Sequence, residues 1–170
     1  MSMTRPIRLL SSIARLFERP PRHQATSERA AHERDEARRD ADTLRSLAIV
    51  LVHIAGGDGR LTAEERSTLA NFVGRRFRLS PREALRIIEA AIAAERSRED
   101  VDDAFDDLKR LLPPDGRREL MVAAWELAKI DGHVAELEDD LLWRSARRLG
   151  LSEREAEALR QSALADVGGA

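Results

Sequence analysis

The chain has 170 residues, 42% hydrophobic and 35% charged, and its acids and bases nearly cancel to a formal net charge of −2. That length supports one well-buried core with an appendage, and the near-neutral balance argues against a nucleic-acid binder, which needs a clear basic excess. Cysteine is absent, which excludes disulfides and thiolate metal sites, and no apolar run approaches the roughly 20 residues that cross a bilayer.

Aliphatic residues recur at helical spacing without sustained strand alternation, so the expected class is all-α. Residues 1–22 form a basic amphipathic segment. Ile7, Leu10, Ile13, Leu16 and Phe17 share one helical face, five arginines through Arg22 stand against the single acid Glu18, and Pro20-Pro21 ends it. Three readings stay open for it: peripheral contact of residues 5–17 with an anionic membrane surface, an arginine-bearing targeting peptide, and a helix that docks on the domain or stays loose. Residues 23–43 are a charged linker whose alternating signs suit a solvated helix. This helix is expected to run on into the apolar stretch Leu44–Ile54 and to bury Leu44, Leu47, Ala48, Leu51 and Ala55 on one face.

A Gly56-Gly57-Asp58-Gly59 turn follows. Thr62 and Glu65 then have the spacing of a capping box that starts a helix to about Phe77. Ser80-Pro81 starts another, with Leu85, Ile88 and Ile92 expected inward. A shorter helix from about Asp100 turns Val101, Ala104, Phe105, Leu108 and Leu111 inward, and Pro113-Pro114-Asp115-Gly116 reads as a break. Three more helical stretches follow: Leu120–Ile130, Leu141–Leu149 and one from Ser152, before a tail at 166–170. About seven helices are expected around one core, with residues 44–165 as the domain.

Within that domain one signature occurs twice, as A-x-x-D-G-x-[L/V]-x-x-x-E: from Ala55 through Asp58, Gly59 and Leu61 to Glu65, and from Ala128 through Asp131, Gly132 and Val134 to Glu138. Each copy leads to an R-R-x-x-L-S-x-R-E-A run, Arg75–Ala84 and Arg147–Ala156. The offset is 73 residues at Asp58/Asp131 and 72 at Ser80/Ser152, which marks an internal duplication with copies at about 44–96 and 117–165.

The glycines and apolar anchors of the signature are explained by helix termination. The carboxylates are not, since Asp58 and Asp131 stand at helix C-termini, where the dipole disfavours negative charge. Glu65 has a partner in Thr62, whereas the position matching Thr62 ahead of Glu138 is Ala135, which has no side-chain oxygen. The spacing matches the second half of an EF-hand loop, but Ile54, Gly56, Leu127 and Lys129 occupy the first and third ligand positions, so an ordinary EF-hand is ruled out. If a pseudo-two-fold brings the turns together, Asp58, Glu65, Asp131 and Glu138 pool four carboxylates as candidate ligands for a divalent cation, Ca²⁺, Mg²⁺ or Mn²⁺. In copy one Gly56-Gly57 replaces the bulkier Lys129-Ile130 pair of copy two and is expected to loosen that helix end.

With these two signatures in an all-helical context, the chain from about Leu44 to Ala165 resembles the TerB family of tellurite-resistance proteins, whose helical domain also forms one end of certain membrane-tethered DnaJ-like co-chaperones. The resemblance implies two overlapping four-helix bundles, acids gathered on one side to bind a divalent metal, and a role in bacterial stress response in membrane-associated complexes. It places the chain in the cytoplasm, peripheral to the inner membrane if residues 5–17 bind lipid. No H-P-D motif of a J-domain occurs.

The functional expectation is a non-enzymatic module that binds a divalent cation or a partner protein through its acidic turns. Two alternatives stand beside it: a membrane-surface adaptor held by residues 5–17, and a metal-dependent hydrolase, for which no base or substrate pocket is readable. His53, five residues before Asp58, reads as a partly buried helix residue. His133, in the second turn, could modulate the acids. Trp125 and Trp143 read as core. The acidic run Glu99–Asp107 serves a helix N-terminus and a solvated face, with docking of a basic partner as the rival reading.

Overall fold

The computed structural model describes residues 27–57, 61–129 and 136–165, with the backbone alone at 27, 28 and 136–138. Among the described residues there are seven helices and no strand: α1 Ser27–Ala55, α2 Ala63–Phe77, α3 Pro81–Glu95, α4 Arg98–Leu111, α5 Pro114–Ala128, α6 Glu136–Arg148 and α7 Glu153–Ala165. The N-terminal segment 1–22 and the tail 166–170 lie outside the described residues.

The charged linker and the first apolar stretch are one helix, as the sequence predicts. Residues 29–42 of α1 are almost wholly exposed, so about 20 Å of helix projects beyond the core. From Leu44 onward the same helix changes character. Leu44, Leu47, Ala48, Ile49, Val50, Leu51, Val52 and Ile54 are all buried, which corrects the expectation of a single apolar face. The reason is tertiary: α1 is packed by α2, α3, α4, α5 and α6, and a helix enclosed on all sides is apolar all round.

Two further expectations shift. Leu85 is exposed, and the inward stripe of α3 is Ala84, Ile88 and Ala91. A Cβ built on Gly74 of α2 would lie 3.3 Å from the Ala84 methyl, so the helices cross on small residues and the leucine faces out. Pro113-Pro114-Asp115-Gly116 is a helix start: Pro114 opens α5, where its missing N–H costs nothing, and Gly116 is buried within it.

Two helix pairs pack alike, α3 on α1 and α7 on α5. The R-R-x-x-L-S-x-R-E-A run is the same structural device in both copies. After α2, Arg78 is left-handed (φ 54°) and the Leu79 N–H donates to the Gly74 carbonyl at 2.9 Å; after α6, Gly150 is left-handed (φ 81°) and the Leu151 N–H donates to the Ala146 carbonyl at 3.0 Å. Both are Schellman-type stops. Ser80 with Glu83, and Ser152 with Glu155, then form reciprocal capping boxes. Glu155 also accepts from Arg118 of α5 at 2.6 Å. Bonds from the Ser152 backbone, from Arg118 and from the Ser152 hydroxyl hold its carboxyl down at about 2.

At position 150 an alanine would have to sit at positive φ, with its Cβ 3.2 Å from Arg117 Nη1. Gly150→Ala is expected to lower unfolding stability by about 1–2 kcal/mol in urea titrations; an unchanged midpoint would refute the strain.

Candidate functional site: two helix ends at one cavity

The signature turns leave from Ala55, the last residue of α1, and Ala128, the last of α5. Both alanines line one cavity of about 290 Å³. Ile54, Leu61, Leu69 and Leu127 make its apolar wall, and Thr62, Glu64, Glu65 and Thr68, all around the start of α2, supply its polar side. A second contact ties the copies together at this place. A Cβ on Gly57 would come within 2.8 Å of Leu141 Cδ2, so the chain passes into the first turn against α6, the helix that follows the second.

Of the four predicted ligands, Glu65 alone has a described side chain. It is exposed and makes the expected capping box: Glu65 Oε2 accepts the Thr62 N–H at 2.6 Å, and Thr62 Oγ1 accepts the Glu65 N–H at 3.2 Å. Its carboxylate is thereby fixed at the cavity edge. Asp58 and Asp131 lie outside the described residues, as do Gly59, Gly132, His133 and Val134. Glu138 falls in the first turn of α6, its side chain outside the described atoms. Among the described residues no three or more of His, Asp and Glu are grouped to hold a metal.

Sequence reasoning missed Glu64, which lines the cavity beside Glu65; its register partner in copy two is Leu137, so the repeat gave no signal.

The departure between the two turns has a packing cause on each side. The Gly56 N–H still donates to the Val52 carbonyl at 2.8 Å, so the end of α1 is not loosened, and Gly57 is small because Leu141 lies against it. In copy two Lys129 Nζ donates to the carbonyls of Ala163 and Leu164 at 3.0 and 2.7 Å, closing the C-terminal end of α7 where cations are favoured.

Other residues weighed from the sequence make contacts within the domain. His53 Nδ1 is 3.0 Å from Glu95 Oε1, and its ring stands edge-on to Phe105 at 6.3 Å. Arg148 covers that phenyl ring at 3.9 Å. Trp125 is fully buried and meets Trp143 edge-to-face at 6.3 Å. In the acidic run, Asp102 pairs with Arg148 and Asp107 with Arg110, so these two carboxylates serve contacts within the domain.

Among the described residues no helix is long and apolar enough to cross a membrane. A family model described as tellurite resistance protein TerB matches residues 44–161, well over half of the chain. No curated protein and no solved structure matches it.

Proposed function

This chain belongs to the TerB family, and from that premise we propose that it is a non-enzymatic module of tellurite-resistance and stress-response type that binds a divalent cation, or a partner protein, through its two acidic turns. The observation that carries the reading is that Ala55 and Ala128, the starts of both signatures, wall a single cavity. Two helix C-termini therefore converge there, each contributing partial negative charge from its terminal carbonyls. Asp58 and Asp131 follow three residues later, and adding carboxylates to such a place is favourable once a cation neutralises them. The donors on offer, Asp58, Glu65, Asp131 and Glu138, are oxygens alone, which suits Ca²⁺, Mg²⁺ or Mn²⁺. Each turn by itself supplies too few. Glu65, already held by its cap, would bring a pre-oriented ligand. Calorimetric titration of the full chain with the three ions is expected to give heat of binding for at least one. No heat with any of them removes the cation reading.

A second reading is supported by the free-standing stretch of α1. Along the chain, its exposed residues 29–42 come between the basic segment 5–17 and the core, an order suited to holding a domain off an anionic bilayer. The full chain is expected to co-sediment with anionic liposomes and a chain starting at Thr26 to stay in the supernatant; equal partitioning would dismiss it.

A further inference from the structure

Glu119, one turn into α5, is the only charged residue among the described ones that is buried, at 5% exposed. Both of its carboxylate oxygens are sealed from solvent and have no hydrogen-bond partner. The matching residue of copy one, 73 positions earlier, is Ser46, equally buried, and its hydroxyl donates to Asp107 Oδ2 at 3.3 Å. The repeat thus keeps a polar side chain at this register, and the second copy makes it an acid without a donor.

The cation whose charge acts on Glu119 is Arg76 of α2, itself largely buried. Its guanidinium is committed elsewhere, 3.9 Å from Oε2 of Glu126. Glu126 lies seven residues after Glu119 on the same face of α5 and is a third exposed. Arg76 therefore feels the charge of two carboxylates and rests on the wetter one.

We propose that Glu119 and Glu126 are alternative seats for Arg76, forming a proton-operated latch between α2 and α5. With Glu119 protonated, the guanidinium stays on Glu126. When Glu119 ionises, an unpaired buried carboxylate is too costly to persist, and Arg76 is drawn inward off Glu126. Burial pushes the Glu119 carboxyl upward, Arg76 opposes the rise, and Asp115, one turn earlier on α5, adds to it. Burial likewise lowers Arg76, with Glu126 and Glu119 opposing. Helices α1, α6 and α7 also pack on α5, and among the described residues none of them brings a charge that acts on Glu119; Arg118 and Glu155, at the α5–α7 contact, are paired with each other. The latch joins the two helices that also meet at the cavity, α2 by its start and α5 by its end, so a change of seat bears on the walls of that cavity.

The test is NMR on the full chain, following the Glu119 side-chain carboxyl carbon and the Arg76 Nε–Hε pair between pH 4 and 8.5. Glu119 is expected to titrate above the ordinary glutamate value of about 4.3, and the Arg76 signal to move with the same midpoint. In Glu119→Gln the Arg76 signal should hold its low-pH position throughout. In Glu126→Gln, with the competing seat gone, the Glu119 midpoint should fall. Because the folded carboxyl is raised, its stabilising contribution is complete below the unfolded value and is lost as pH rises through the folded one. Glu119→Gln should therefore gain on wild type in melting temperature as pH increases from 4 to 8. A Glu119 midpoint at or below the ordinary value, or an Arg76 signal indifferent to it, overturns the latch, and both are read on wild type even if a variant fails to fold.

Discussion

Replacing Asp58 and Asp131 together with asparagine is expected to move stability in opposite directions without and with a divalent cation. Each aspartate follows the last residue of a helix by three positions in the chain; without a cation, a negative charge near a helix C-terminus costs about 0.3–1 kcal/mol, and those last residues, Ala55 and Ala128, share one cavity wall. Asparagine keeps the size and turn-forming capacity of aspartate while removing the charge. The metal-free double variant should therefore melt higher, by about 2–4 °C per kcal/mol recovered. With cation at roughly a hundred times its dissociation constant, wild type should gain about 2.7 kcal/mol and the variant nothing, reversing the order of melting. Differential scanning calorimetry with EDTA and then with each ion reads both arms. An equal rise in the two proteins would place the binding elsewhere. A metal-free variant less stable than wild type would show that the aspartates serve the turns as structure.

Much of this fold was legible because the signals were local. The Thr62/Glu65 capping box and the Ser80-Pro81 helix start are signals within a few residues, and both helices begin there. The long α1 followed from unbroken helix-forming residues across a change in polarity. What the sequence hid was set by neighbours far along the chain. Ala84 faces inward and Leu85 outward because Gly74 lets α2 come close, which periodicity in α3 alone does not show. Glu119 reads as one more surface charge among Asp115, Arg117 and Arg118, yet it is sealed. At the candidate site, the duplication made convergence of the turns a reasonable expectation; the helix ends before them, Ala55 and Ala128, line one cavity, and the aspartates themselves lie outside the described residues. The purpose of Gly57 and Lys129 was not readable, because each is shaped by a contact, with Leu141 and with the end of α7, that belongs to the other side of the molecule.

That contrast gives the second large effect, because the two turns are not interchangeable. Lys129 sits at the C-terminal end of α5 and spends its ammonium on two carbonyls of α7, one of them on the buried Ala163. Hydrogen bonds from a charged donor contribute about 1.5–3 kcal/mol each when buried, and partial exposure brings the pair to about 2–3 kcal/mol together. Lys129→Met keeps the aliphatic stem and removes only the donor, so it isolates the cap from the packing. The variant is expected to unfold at lower urea by that amount, and amide exchange should quicken first in the last turn of α7, around Ala163 to Ala165, before the rest of the domain responds. Since α7 lies on α5 and α5 ends at the second turn, loosening it should also weaken any cation response without touching a carboxylate. An unchanged urea midpoint together with unchanged exchange at α7 would mean that solvent satisfies these carbonyls as well as the lysine does.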